Sequence, residues 1–472
     1  MATIKSVVIV FEVLLLFNLL IAVHELGHFL AAKWRGLRID RFAIWFGKPV
    51  WKTKIDGVEY ALGWIPAGGY VALPQMASME AIEGKSEGSA QPPPPISALD
   101  KMIVAFAGPL FSFLLAFAFA VVVWGVGKPV NEDNNSTTIG WVEMDGPAWK
   151  AGLRPGDTIM EIDGHPVKEF GPPAQDSVTW RIITSEGTNI AIKYVRDGKE
   201  QMAYAVPSLR PTKWYERKAL RQIHVSSETP AVIYQVASNS PAAVAGLRHG
   251  DRIVAMDGRK IYSFMPIVAA QDAMSNSPAT PITLTVVRNQ EQFDRTLMPE
   301  KPLQPPHSSP SLGILAWEAE TNVMLAHPGP FDQVRDSAGE IFATLGTVLS
   351  PKSHVGVQQL GGAVTIIRLY SNLFESEHGW RLVLWFSVVL NVNLAMLNLL
   401  PFPVLDGGHI MLALLEAIRR RPVSPTVLQA MQTGCAVALI AFMLFIAFFD
   451  TGDWIRNARE NHEQPVVFAP KQ

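Results

Sequence analysis

Apolar residues in this chain gather into long runs instead of recurring at the spacing of a soluble core. Four runs, at 6–32, 102–127, 381–405 and 427–449, each approach the ~20 residues that a bilayer core asks of a helix. Between them the pattern changes. From 42 to 73, apolar residues alternate around Asp56-Gly57, the signal of a β-hairpin. A lone hairpin is marginal in water, so this one is expected to pack on membrane-embedded helices. The stretch after it, with its QPPPP run, reads as a linker. Near 328–352, Phe331, Val334, Ala338, Ile341, Phe342, Leu345, Val348 and Leu349 recur at helical spacing. That predicts an amphipathic helix, either on the membrane surface or packed against a core.

The region between the second and third runs repeats itself. GPAWKAGLRPGDTIMEIDGHPV from Gly146 and SPAAVAGLRHGDRIVAMDGRKI from Ser240 share Pro, Ala-Gly-Leu-Arg, Gly-Asp and Asp-Gly at an offset of 94 residues. This period is too long for a solenoid unit and suits two small tandem domains. The pattern resembles PDZ domains, in which a helix ends at the Ala-Gly-Leu turn and Gly-Asp opens a strand that closes at Asp-Gly. Gly156, Gly164, Gly250 and Gly258 stand where tight turns need positive φ. PDZ domains usually take up an extended peptide at a sheet edge. The sequence leaves open whether these two do so or restrict access by size.

Charge then sets the topology. A formal net charge of −2, with no basic stripe interleaved with aromatics, excludes a nucleic-acid partner. Cys435 is the single cysteine, so no intramolecular disulfide forms. The first run is too long for a signal peptide and lacks a small-residue cleavage site, so it reads as a retained span. Lys33, Arg35, Arg38 and Arg41 follow the first run, and Arg419, Arg420 and Arg421 link the third to the fourth. The positive-inside bias places both loops in the cytoplasm, and the repeat region and the tail outside.

The predicted fold is therefore a polytopic α-helical membrane protein with four transmembrane helices, a membrane-associated β-hairpin and two tandem extracytoplasmic PDZ-like α/β domains. The spans fall in 1–34, 101–127, 380–405 and 427–449, and the hairpin with its linker in 35–100. The repeat domains occupy 135–215 and 222–305, the surface helix 328–352 and the tail 450–472.

Inside the first span stands HELGH, His24 to His28. Residues four apart project from one face of a helix about a turn from each other, so the two histidines can share a metal ion. In H-E-x-x-H the imidazoles bind zinc, while the glutamate, here Glu25, is the general base. Zinc lowers the pKa of water it holds from 15.7 to about 7. A core histidine pair is the plainer reading in a soluble helix. In a membrane span, ionisable residues are costly and persist where a cavity, metal or pathway uses them. A hydrolytic zinc site wants a third protein ligand. Asp406, in NLLPFPVLDGGH at the cytoplasmic end of the third span, lies at the right depth, with Pro401 and Pro403 expected to break the helix before it. His409 is a rival ligand, and a capping role for Asp406 is the plainer alternative.

Taken together, HELGH in the first span and NLLPFPVLDGG at the third resemble the site-2 protease family of intramembrane zinc metalloproteases. The order of segments is similar to its bacterial regulator-of-sigma-E protease branch: four spans, a hairpin with FGK and GGYV, AGP at Ala107 to Pro109, and two PDZ-like repeats. The resemblance implies a Zn2+ protease of a bacterial inner membrane, monomeric and surrounded by lipid. It implies cutting of single-pass membrane proteins after a prior outer cut, anti-sigma-factor-like regulators among them, with remnant signal peptides as a further class. It matches His24, His28 and Asp406 to zinc ligands and Glu25 to the base. It matches Asn393 and Asn398, with Gly68 and Gly69 of the hairpin edge, to substrate handling. Where the family often carries an asparagine four residues after the glycine of AGP, this chain has Ser112, so no amide role is assigned there. No function is assigned to 76–95. A PDZ-based membrane scaffold with a vestigial metal site is the alternative, against which the intact Glu25 argues. A metal-ion or proton transporter would more often show inverted repeats, and none is visible.

Overall fold

The computed structural model describes residues 2–76, 96–131, 136–171, 175–305, 309–318, 323–376, 378–421, 423–460 and 466–470. Among these, four helices are long and apolar enough to cross a membrane, with spans Phe11–Trp34, Ala98–Val126, Gly379–Asn398 and Thr426–Arg456. Their apolar residues run all round the helix, the pattern of segments solvated by lipid. Leu114 and Trp124 of the second span, and Val437 and Leu444 of the fourth, are more than half exposed. The chain divides into two compact units: one of 1–129, 325–342 and 360–451, the other of 130–324, 343–359 and 452–472.

In the unit of spans, the third helix stops at Asn398, short of the expected 405, and a separate helix, Asp406–Arg419, follows. Pro401 and Pro403 offer no backbone N–H and cannot extend the helix, so the chain turns. Gly407 and Gly408 make the turn possible, because a Cβ on either would overlap the backbone of Leu399 or Phe402. The fourth helix continues to Glu460, so the tail expected from 450 begins as helix. A further helix, Ala363–Glu375, had no counterpart in the sequence reading. Its first turn is held by Asp450, which accepts from Gly362 N at 3.0 Å and Thr365 Oγ1 at 2.7 Å. Unpaired N–H groups at a helix start favour such a carboxylate.

The helix Pro330–Leu349 meets the spans through Val334, Ala338 and Ile341, which pack against Ala116, Ala120, Val388 and Val392. Phe331 and Phe342 remain exposed. The apolar residues read as one face are thus divided between packed and open sides.

Strands Arg41–Ile55 and Val58–Ala72 pair antiparallel about Asp56-Gly57, both with positive φ. Each strand bends. Ala43 therefore faces Tyr70 on one side and Ala61 on the other, and Ile44 likewise faces Gly69 and Leu62. Residues 69–72 are left as an outer edge. The first span supports this sheet through Phe29, whose ring lies 5.3 Å from that of Phe42 and 6.0 Å from that of Tyr60.

The second unit holds the two repeats as separate β-rich modules. In the first, the sheet runs His165–Pro166, Thr158–Ile162, Ile190–Arg196, Lys199–Ala205, and Ile139–Val142 pairs with Val225–Ser227. In the second, the order is Glu291–Leu297, Ile282–Arg288, Arg252–Met256, Ala231–Val236, Ile314–Trp317. The modules thus reach Ser227 and Trp317, past the expected 215 and 305, and 222–227 belongs to the first. The strand completing each arrangement lies beyond the repeated motif, where the two copies share no signature. Each module has its own buried core, around Ile159 and Ile192 in one and Ile233 and Leu284 in the other.

The repeat carries one ionic device twice. Arg196 donates to both oxygens of buried Asp157 at 2.6 and 2.7 Å and to Gly152 O at 2.7 Å. Arg288 does the same with Asp251 and Gly246 O. These bonds hold both guanidinium groups above their ordinary pKa.

Candidate active site

Two histidines one helical turn apart would ordinarily point side by side into lipid. Here they are turned inward, 6% exposed each, and meet a carboxylate from the other end of the chain. His24 Nε2 lies 3.1 Å from Asp406 Oδ2, and His28 Nε2 lies 3.4 Å from Asp406 Oδ1. The two Nε2 atoms are 3.3 Å apart. All three residues offer a ligand atom within 4.8 Å of the others. Two imidazole nitrogens and a carboxylate converging in a buried place are the donor set of a hydrolytic zinc site.

The second span orients the rings. His28 Nδ1 is 2.8 Å from Val104 O, to which it donates, so Nε2 keeps its lone pair for the centre. His24 Nδ1 is 3.0 Å from Ser112 Oγ, and Ser112 is fully buried. Gly108 lets this helix come close, since a Cβ there would overlap both imidazoles, and Gly27 makes the reciprocal approach against Ala107. Small residues permit such contact between spans.

Glu25 stands outside the triad. It lines a cleft with His28, Asp406, His409, Val71, Leu73, Met76, Val104 and Ala105. The edge segment passes beside it: a Cβ added to Gly69 would lie 3.1 Å from Glu25 Cγ. Gly68, with φ of 75°, turns the chain into that edge against the ring of Phe46. His409 is 8% exposed and borders the cleft, but does not join the three converging ligands.

Asn398 Nδ2 is 3.4 Å from His24 Nε2, at the rim of the triad. Asn393 is placed differently: its Oδ1 is buried without a hydrogen-bond partner, as is that of Asn391. In the sequence, Ser112 stands out only as a departure from a motif, and Gly108 only as part of one. Their signal is spacing, since Gly108 and Ser112 lie four apart on an apolar helix and so share the face turned to the histidines.

The chain matches the model of peptidase family M50 over residues 12–442. It belongs to that family, the site-2 proteases. It is 27% identical to the protease RseP of Yersinia pestis over 453 residues, covering 92% of this chain and 96% of that one. It is 28% identical over 464 residues to the regulator of sigma E protease of Haemophilus influenzae, covering 91% and 96%. A Vibrio cholerae relative named as a zinc metalloprotease is 28% identical over 451 residues, covering 92% and 96%. This protein is accordingly a multi-pass membrane metalloprotease, and its metal is zinc.

Proposed function

We propose that this protease hydrolyses a peptide bond within the transmembrane segment of single-pass membrane proteins, after another protease has removed the substrate's outer part. Anti-sigma-factor-like regulators are the main substrate class and remnant signal peptides a further one. The observation that carries the reading is the position of the centre: His24, His28 and Asp406 converge among helices long and apolar enough to span a bilayer. A soluble protein reaches such a place with difficulty, whereas a membrane-embedded segment is already there.

His24, His28 and Asp406 would hold the zinc. When bound, zinc supplies a Lewis acid that brings the pKa of water near 7. Glu25 accepts the proton released from water and returns it to the departing amine. Val104 O and Ser112 Oγ hold the two rings in register for this work. A helical substrate hides its peptide bonds in its own hydrogen bonds, so it must first become extended. The outer side of 69–72, which no strand pairs among the described residues, offers backbone to an extended strand beside Glu25. Asn393 and Asn398 assist in holding that strand, and the unpaired Asn393 Oδ1 is in keeping with the role. The protein sits in a bacterial inner membrane with its two repeat modules, read as PDZ-like from their shared motif, outside.

The test is to co-express the protein with a library of single-pass membrane proteins and compare it with Glu25→Gln. Fragments present with the parent and absent with the variant name the substrates. If no membrane protein yields such a fragment, the reading fails. A scaffold with a vestigial site would have no use for Glu25 in the cleft.

A further inference from the structure

We infer that the second repeat module carries a peptide-docking edge at Leu303, Gln304 and Gly313, and that the chain's own segment 466–470 is its resident ligand. Nothing in the proteolytic reading requires this contact. Val467 bridges Gln304 in antiparallel fashion. Leu303 N donates to Val467 O at 2.7 Å, and Val467 N donates to Gln304 O at 3.1 Å. The next residue, Phe468, is only 3% exposed, while Val467 is 42% exposed. Successive side chains of an extended segment point to opposite sides, so one residue faces water and the next is buried.

The seat for Phe468 is built around a glycine. Gly313 has φ of 79°, and a Cβ there would lie 3.0 Å from Phe468 Cε2 and would overlap Ser240. Gly313 leads directly into Ile314–Trp317, the outer strand of the module's sheet. Ordering an extended segment costs conformational entropy, so the contacts that hold this one must offset that cost. Backbone pairing of this kind reads no sequence, so selectivity rests on the buried aromatic. The edge therefore takes an extended peptide with a large apolar residue directly after the bridged one.

A second tie lies upstream of the segment, in the helix Pro425–Glu460. Arg217 Nε donates to Asp453 Oδ2 at 2.5 Å, on the polypeptide that leads to the docked segment. Such tethering gives the tail a high effective concentration at its own edge. A free peptide of the same kind is excluded from the full chain and admitted once the tail is removed.

The probe is a fluorescein-labelled peptide of residues 463–472, followed by polarisation against the purified full chain and against a chain ended at Pro465. The shortened protein should bind at least about tenfold more tightly than the full chain. A peptide carrying Phe468→Ala should lose at least as much, roughly the cost of a buried aromatic anchor. Equal binding by both proteins, binding by neither, or indifference to Phe468 overturns the proposal. A second variant guards against misfolding of the shortened chain. Directly opposed residues of an antiparallel pair have Cα atoms about 4.5–5.5 Å apart, within disulfide range. Gln304→Cys with Val467→Cys, on Cys435→Ser, should close a disulfide under mild oxidation in membranes; failure to close it overturns the docking.

Discussion

His24 and Asp406 are separated by 382 residues in the chain and by 3.1 Å between Nε2 and Oδ2. One belongs to the first span and the other opens a helix after the third. The contact requires the third helix to end early, at Asn398, so that Asp406 can turn back toward the first span. The cluster of His24, His28 and Asp406 thus depends on a helix break as much as on the side chains themselves.

Glu25 borders the cleft without joining the converging ligands. Glu25→Gln should keep the zinc and slow cleavage of a model single-pass substrate by about 10² to 10⁴-fold, the usual loss for a missing general base. Metal analysis beside a gel-based cleavage assay checks both halves. Near-normal cleavage would remove Glu25 from the mechanism.

Asp406 and His409 make a direct contrast, since both line the cleft and Asp406 sets its carboxylate oxygens 3.1 and 3.4 Å from the two histidine Nε2 atoms. Asp406→Ala should reduce zinc content and activity together, whereas His409→Ala should leave zinc in place. The opposite pattern of metal retention would transfer the ligand role to His409.

The hydroxyl of Ser112 positions the His24 ring. Ser112→Ala should weaken zinc retention by about 10- to 100-fold in chelator competition, the range for losing a partner of a metal-bound histidine. Ser112→Asn restores a polar partner and should recover part of the loss. Gly108→Ala should be more severe, because its methyl group would displace both imidazoles. Unchanged chelator resistance in Ser112→Ala would show that the ring is held by other contacts.

The buried carboxylates of the two modules should behave alike. Asp157→Ala removes both charged bonds from Arg196 and the bond that Asp157 accepts from Arg154 N. A hydrogen bond to a charged group contributes about 1.5 to 3 kcal/mol, so a loss of that order is expected for the first module. Asp251→Ala should do the same in the second. Urea titration read by limited proteolysis within each module would register the shift, and an unchanged midpoint would count against the ion pair.

Topology rests on the basic residues that flank the spans. On a Cys435→Ser background, a cysteine at position 420 should be labelled only from the cytoplasmic side, and one at position 300 only from outside. Labelling of both from the same face would mean that one of the four helices does not cross.

By itself, the sequence determined what local physics decides. A span needs only a run of apolar residues to match a bilayer, so four of them stand out without any knowledge of their neighbours. HELGH sets its histidines on one helical face because four residues make about one turn. The repeat reveals two modules because Gly-Asp and Asp-Gly impose the same turns twice. What the tertiary structure decided depends on segments far apart in the chain. It brought Asp406 to the histidines, and it gave Ser112 and the Val104 carbonyl to their outer nitrogens. It bent the hairpin so that 69–72 became an edge beside Glu25. It moved the module ends to Ser227 and Trp317, and it seated Phe468 on Gly313. Periodicity carries no record of such contacts, because each is decided by which distant backbone a small residue allows to come close.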